Sequence, residues 1–213
     1  MTNKRRVTAL VVIATAAIIA AGGLMASNMG FKLNYPLQAQ QVGVSATGFQ
    51  SIGLPYNRQV GIDWAAQLRA DVEAGGVLVG SIQKYDILSG QNLPYPPTDF
   101  PLAAGEGYLI GVTSSGSYII VGSHDPGHTV DLKAQAVGVS ASGFQRYSHP
   151  FHGVSATASE LKDELAPEAA SIQKYDILTG QNVPYPPTDF PLVPGEAYLV
   201  GVTADKSFIP AHY

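Results

Sequence analysis

Five histidines are the residues of this sequence most suited to binding a metal ion. They are His124, His128, His149, His152 and His212. His124 and His128 are four residues apart, and His149 and His152 are three apart, so each pair could supply two ligands. A zinc site needs three or four ligands that converge on the metal. Prolines inside both pairs exclude the regular helix that would place the two side chains on one face. We therefore predict that the protein has no metal site and no cofactor.

Three acidic positions recur in matching sequence contexts and are the candidates for acid–base chemistry. The pairs are Asp86 and Asp176, Asp99 and Asp189, and Glu106 and Glu196. Glycoside hydrolysis uses two carboxylates roughly 5–10 Å apart across a cleft. These residues lie near glycine or proline in turn-forming segments, however, where a carboxylate commonly accepts backbone N–H groups. The sequence also lacks a nucleophile elbow, a phosphate loop and a zinc-protease motif. We therefore predict a protein that is not an enzyme and has no catalytic residues.

Aromatic residues beside a Pro-Pro pair are the best binding candidates. The ligand-binding candidates are Tyr95, Asp99 and Phe100 in one segment and Tyr185, Asp189 and Phe190 in a second. An aromatic face next to a carboxylate could hold a sugar ring. The same aromatics could instead pack the proline-rich segment onto a sheet. Both interpretations stay open at the level of sequence.

The candidates occur twice because the chain contains an internal repeat. Residues 81–102 and 171–192 are identical at 20 of 22 positions, and the stretch that begins at Leu37 recurs from Leu132. Such self-similarity is the signature of a duplicated structural unit. We predict two homologous modules, residues 27–125 and 126–213, that pack together with pseudo-symmetry. Their Asp-Pro-Gly junction at residues 125–127 is too short to act as a flexible linker.

Turn and strand signals predict that each module is mostly β. Residues 80–85 and 171–175 are predicted strands that end at an Asp-x-x-Ser/Thr-Gly turn. Residues 108–113 and 198–203 alternate between faces, which predicts a half-buried strand. Residues 94–101 contain four prolines and are excluded from a central strand, so an extended edge is expected. Each module is predicted to be a small twisted sheet or partial barrel with one short helix.

One helix is predicted in each module, and the two copies indicate it by different sequence signals. In the first, Asp63 is the expected N-cap, Trp64, Leu68 and Val72 share one face, and glycines follow at 75 and 76. In the second, residues 157 and 160 have the Thr and Glu of a capping box, and leucines at 161 and 165 form the apolar stripe.

The N-terminal segment and the charge balance bear on location and partners. Residues 4–6 are Lys-Arg-Arg, and the next twenty carry no charge, which predicts a signal peptide at residues 1–26. The run is also long enough to be an uncleaved anchor. Without this segment, the chain has nine basic and sixteen acidic residues, which gives a formal charge of −7. That balance argues against nucleic acid and anionic lipid as partners, so contact with a membrane is expected only through an uncleaved N-terminal segment.

The order of these elements resembles a tandem β-module of uncharacterised exported bacterial proteins. The resemblance is carried by a strand ending Tyr-Asp, a short hairpin, a Phe-x-Leu loop and Pro-Gly-Glu-x-Tyr-Leu-Val at residues 194–200. In that module a Pro-Gly-x-Gly-Tyr turn leads into the central strand, and the first copy here departs by having Ala104. The resemblance implies export and architecture, and it carries no catalytic residues.

We expect a non-catalytic structural or adhesive protein that is exported to the cell surface or the extracellular space. Repeats that bury a face against each other can extend that contact to another chain, so the expected partner is a second copy or another envelope protein. The alternative is a carbohydrate-binding protein with a polysaccharide partner.

Overall fold

The computed structural model describes residues 30–39, 48–58, 61–123, 125–134 and 144–212. The predicted N-terminal signal or anchor at residues 1–26 lies outside this range, and so does His124. Neither helix of the described residues is long and apolar enough to cross a lipid bilayer.

The described part of the first module contains seven strands and one helix. They are β1 (Phe31–Leu37), β2 (Phe49–Gly53), β3 (Asn57–Arg58), α1 (Ala65–Ala74), β4 (Val79–Asp86), β5 (Gln91–Tyr95), β6 (Gly107–Val112) and β7 (Gly116–Ser123). The second module repeats this order without a counterpart of β3 among the described residues. Its elements are β8 (Val130–Leu132), β9 (Phe144–Ser148), α2 (Ala158–Glu164), β10 (Ala169–Asp176), β11 (Gln181–Tyr185), β12 (Ala197–Val202) and β13 (Lys206–Phe208).

Each module is built on an antiparallel four-stranded sheet with the same strand order. The first sheet runs β2-β6-β4-β5 and the second β9-β12-β10-β11. The central pairing also has the same register, because Ile82 lies opposite Ile110 and Ile172 lies opposite Val200. A smaller sheet completes each module, β1-β7-β3 in the first and β13-β8 in the second. The predicted mostly β fold of two homologous, pseudo-symmetric modules is confirmed.

The proline-rich segments begin as edge strands, as their sequence predicts. Pro94 lies in β5 opposite Gln83, and Pro184 lies in β11 opposite Gln173. Only one side of an edge strand needs ladder hydrogen bonds, so a residue without an N–H group is tolerated there. The turns before these strands also follow the prediction. Asp86 accepts the backbone N–H of Leu88 at 3.2 Å, and Gly90 has φ of +68°.

Two details of the predicted elements are wrong. The strands β6 and β12 are buried on both faces rather than half-buried, because the face turned away from each module's own core meets the other module. Helix α1 begins one residue later than expected, with Trp64 at its N-cap and 45% exposed. Asp63 is not the cap because the Gln67 side chain accepts the backbone N–H groups of Asp63 and Trp64, at 2.8 and 3.0 Å.

Candidate functional site: two clefts between the modules

The two modules contact each other through reciprocal hydrogen bonds. The backbone N–H of Gly53 donates to the carbonyl of Gly195 at 2.7 Å, and that of Ser148 donates to the carbonyl of Gly105 at 2.9 Å. Gly53 and Ser148 occupy equivalent positions of the repeat, as do Gly105 and Gly195. A contact in which each partner offers the same surface to the other is that of a twofold interface. The chain is therefore arranged like a dimer of its own modules.

An aromatic side chain from each module completes the core of the other. Tyr56 belongs to the buried cluster of the second module, and its hydroxyl donates to the carbonyl of Ser148 at 3.3 Å. Its equivalent, Phe151, packs on the core of the first module and stacks on Phe31 with ring centroids 3.8 Å apart. Because the exchange runs in both directions, neither module has its complete core by itself.

Equivalent positions meet at the centre of this interface, and one of each pair is glycine. A Cβ atom at Gly107 would collide with the Cβ of Ala197, which is its own equivalent. A Cβ atom at Gly53 would lie 2.6 Å from the hydroxyl of Ser148, again its equivalent. Real Cβ atoms do not approach other atoms so closely, because the interior is already packed to the density of an organic crystal. The pseudo-twofold axis thus accepts a side chain from one module only.

Two clefts lie on either side of the interface at equivalent places. Each is formed by the first two strands of one module and by the β-hairpin turn and the central-strand entry of the other. The larger, about 530 Å³, is here called the apolar cleft. It is lined by residues including Leu33, Tyr35, Pro36, Gln50, Lys174, Tyr175, Ile177, Leu178, Val183, Phe190, Val193 and Glu196.

The second cleft has about 360 Å³ and a more charged lining, and we call it the arginine cleft. It is lined by residues including Lys84, Tyr85, Asp86, Ile87, Glu106, His128, Val130, Asp131, Gln145, Arg146 and Tyr147. Arg146 has Ser51 as its equivalent, and His128 has Leu33. These two exchanges place a guanidinium and an imidazole in the second cleft where the first has a hydroxyl and an alkyl group.

A lysine, a glutamate and a tyrosine form the same arrangement in both clefts. Glu106 accepts the hydroxyl of Tyr108 at 2.7 Å and pairs with Lys84 at 2.9 Å. The Tyr108 hydroxyl also accepts the backbone N–H of Ala103, at 2.7 Å. Glu196, Tyr198 and Lys174 repeat these contacts. Both tyrosines are fully buried, as expected for core residues, and burial raises the pKa of Tyr198. The glutamates are therefore held by partners of their own.

We call the two proline-rich segments, residues 94–101 and 184–191, the straps. Their aspartates, predicted as ligand-binding candidates, lie at the N-termini of the helices. Asp99 Oδ1 accepts the backbone N–H of Ala66 at 3.0 Å, and Asp189 Oδ1 accepts that of Ser159 at 3.0 Å. The Ser159 hydroxyl donates to the other Asp189 oxygen at 2.6 Å, and this bond lowers the pKa of Asp189. Each carboxylate satisfies an N–H group that has no partner within its helix.

The strap aromatics divide into buried and half-buried residues. Phe100 and Phe190 are buried and stack on Tyr108 and Tyr198, with ring centroids 6.0 and 5.9 Å apart. Phe190 also contributes to the wall of the apolar cleft. Tyr95 and Tyr185 are half-buried and pack against the edges of the two cores. Lys162 lies over the Tyr185 ring at 5.7 Å. A ligand-binding role for these residues stays a prediction.

The described histidines are dispersed through the second module. His149 is buried, and desolvation lowers its pKa to about 4. His128 packs against Tyr56 with ring centroids 4.6 Å apart, and His152 meets the edge of Phe31. His212 Nδ1 lies 3.2 Å from the carbonyl of Pro210. Within the part of the chain that the structure describes, no three His, Asp or Glu side chains form a group that could hold a metal ion.

The clefts were not visible in the sequence because each takes its walls from both modules. Aligning the two copies shows the exchanges of Ser51 for Arg146 and of Leu33 for His128, but neighbouring positions such as Ile52 and Tyr147 differ as well, so the exchanges do not stand out. No protein-family model, curated protein or solved structure matches this chain.

Proposed function

We propose that this protein is a non-catalytic structural or adhesive protein, exported to the cell surface or the extracellular space, that assembles with further copies of itself. The observation that carries the proposal is a pair of equivalent, exposed apolar hairpin tips. Leu88 is 76% exposed and Leu178 is 62% exposed. One such residue on a surface is ordinary, but two at equivalent points give the molecule two similar contact sites.

The turns that carry these leucines are rigidly held. Asp176 accepts the backbone N–H of Leu178 at 3.0 Å and the hydroxyl of Thr179 at 2.8 Å. Asp86 makes the matching bonds with Leu88 and Ser89, and the bond from the Ser89 hydroxyl lowers the pKa of Asp86. A preorganised contact residue loses little conformational freedom on binding. The turn carboxylates therefore support presentation of the leucines.

The fate of the other shared carboxylates supports a non-catalytic role. The strap aspartates cap helices, and the cleft glutamates hold a lysine and a buried tyrosine. A general acid or base must reach the proton that it transfers, whereas these groups are bound to the scaffold. Export is proposed from the basic and then uncharged residues 1–26, and the resemblance to an exported tandem β-module is part of the same proposal.

The experiment is light scattering coupled to size-exclusion chromatography, on residues 27–213 over a range of concentrations. The parent should form oligomers larger than a dimer, because each molecule has two tips. Leu88→Ser or Leu178→Ser alone should stop assembly at the dimer, and the double variant should be monomeric. Ile119→Ser changes a residue that is 55% exposed on β7 and should behave like the parent. A parent that stays monomeric at every concentration would contradict self-assembly.

Carbohydrate binding is a second candidate, favoured by the position of Phe190. This strap residue lines the apolar cleft together with Tyr175 and Thr188, so the predicted aromatic platform and a cleft of ligand size are continuous. Calorimetry with neutral oligosaccharides of glucose and of N-acetylglucosamine tests this. Tyr175→Ala should abolish binding, whereas the equivalent Tyr85→Ala should retain it. Absence of binding by the parent would remove the candidate.

A further inference from the structure

Arg146 is a buried cation at the wall of the arginine cleft. It lies on β9 between Gln145 and Tyr147, and only 5% of its surface is exposed. Since neighbouring side chains of a strand alternate between faces, and Tyr147 belongs to the core of the second module, Arg146 faces the interface between the modules. The first module has Ser51 at this position, so the guanidinium is specific to one cleft.

Among the described residues, the buried Nε atom of Arg146 makes no hydrogen bond, and no carboxylate lies within ion-pair distance of the guanidinium. The other buried or half-buried cations of the clefts are paired, Lys84 with Glu106 and Lys174 with Glu196. A charge removed from water without a counter-ion is strongly unfavourable, so an unpaired buried arginine calls for an explanation.

Burial and two nearby tyrosines influence the pKa of Arg146 in opposite directions. Desolvation lowers the pKa of Arg146 to about 10, and the hydroxyls of Tyr175 and Tyr85 act in the opposite direction. The side chain is thus charged at neutral pH and lies near one tyrosine from each module. His128 lines the same cleft, and its buried Nε2 atom also has no hydrogen-bond partner in the described part of the chain.

The carboxylates of the arginine cleft are engaged elsewhere. Glu106 holds Lys84 and Tyr108, Asp131 accepts the hydroxyl of Ser207, and Asp86 accepts that of Ser89 at 2.6 Å. Each carboxylate therefore already accepts a hydrogen bond from another described residue, whereas the Nε atom of Arg146 makes none with the described residues.

We propose that the arginine cleft binds the carboxylate of a small organic acid through the guanidinium of Arg146. The planar guanidinium matches the two oxygens of a carboxylate. The guanidinium offers one positive charge, which a monoanionic carboxylate matches, whereas a phosphate dianion would bring a second negative charge into a cleft that already holds Asp86, Glu106 and Asp131. His128 Nε2 offers a second donor on the same wall. The cleft volume of about 360 Å³ suits a molecule of the size of a sugar acid. This site is independent of the assembly proposed above.

The test is calorimetric titration of the full-length chain with acetate, benzoate and glucuronate, each paired with its neutral amide, or with glucose in the case of glucuronate. At least one acid should bind with a dissociation constant below about 1 mM, and its neutral partner should not. Arg146→Gln should weaken that binding at least tenfold. Arg69→Gln, which removes the same charge from a partly exposed, ion-paired residue of α1 outside the cleft, should leave it unchanged. Inorganic phosphate should bind more weakly than the best acid.

A measurement on the parent protein keeps the proposal testable if Arg146→Gln does not fold. Titration with the best acid should move the Nε–H resonance of Arg146 in a nitrogen–proton correlation spectrum, and should leave that of Arg69 in place. The proposal is overturned if none of the three acids binds, if Arg146→Gln binds as well as the parent, if phosphate binds more tightly than every acid, or if the Arg146 resonance does not move.

Discussion

The duplicated halves are alike in the proline-rich straps and differ at the centre of the interface between them. The straps are nearly identical, and each packs on its own module, where its backbone receives the first N–H of the helix, Ala65 to Phe100 and Ala158 to Phe190. At the interface the halves differ at Gly53 and Ser148, at Gly107 and Ala197, and at Ser51 and Arg146.

The contrast has a geometric reason. A residue on a twofold axis meets its own copy, so two identical side chains would have to occupy the same space. The pairs of glycine with serine and of glycine with alanine avoid this collision. A pair of arginines at 51 and 146 would likewise place two buried positive charges on either side of one interface. A duplication joined in one chain can differ between its halves, whereas a homodimer cannot.

The largest expected effect tests whether equivalent core residues of the two halves contribute equally to stability. Tyr108→Ala and Tyr198→Ala should each lower the free energy of unfolding by about 3–5 kcal/mol, because each removes a fully buried aromatic ring. The Tyr→Phe changes keep the ring and should cost only about 1 kcal/mol, for the lost hydrogen bonds. Urea denaturation measures both. A tyrosine whose loss leaves the protein equally stable would refute its role in the core.

The next prediction concerns the pH dependence of stability at a position where the second half has a histidine and the first half has a leucine. His149 is buried with a pKa of about 4, below its value in the unfolded chain, so on acidification the unfolded state gains a proton first. Stability should therefore be highest above about pH 6.5 and fall by up to about 3 kcal/mol towards pH 4. His149→Leu introduces the residue that the first half has at Leu54 and should remove this part of the pH dependence.

His152→Asn is the matched control, since it introduces the first half's Asn57 at a neighbouring site. It should leave the loss of stability between pH 6.5 and pH 4 in place. Denaturant unfolding at several pH values distinguishes the two variants. An undiminished pH dependence in His149→Leu would show that another group is responsible.

The smallest expected effect concerns the ion pairs of the two clefts. Lys84→Gln and Lys174→Gln should each change the free energy of unfolding by less than about 1 kcal/mol, because all four side chains are partly exposed to solvent. Added salt should reduce the difference further. Thermal denaturation at low and high salt measures it. A much larger loss in one half would mean that the clefts are not equivalent in this respect.

Local sequence signals were sufficient to predict the strands, turns and helices, but not the contacts between residues that are distant in the sequence. The turn at Asp86, the edge strand at Pro94 and the N-cap at Thr157 depend on a few neighbouring residues, and the structure has all three. The Glu160 side chain accepts the N–H of Ala156 instead of that of Thr157, so the predicted capping box is only half formed. The N-terminus of α1 was misplaced by one residue because Gln67 accepts the N–H groups of Asp63 and Trp64, and because Asp99, 33 residues away, accepts that of Ala66. The full burial of β6 depends on a second module, whose position no local pattern encodes.

The candidate site was harder to predict for the same reason. The strap residues drew attention through their types and repetition, yet Asp99 and Phe100 are engaged with a helix and a core tyrosine. Arg146 looked like an ordinary polar residue in a strand. Its burial follows from the packing of one half on the other, and its difference from Ser51 does not stand out in the sequence.

The most direct test of the account is a double-mutant cycle at the pseudo-twofold axis. Gly107→Ala should lower the free energy of unfolding by about 1–3 kcal/mol through overpacking against Ala197. Adding Ala197→Gly exchanges the two residues between the halves and should recover most of that loss, giving a coupling of at least about 1 kcal/mol. If the two changes are instead additive, so that the double variant is less stable than either single variant, the halves do not meet at these positions and the pseudo-twofold packing is wrong.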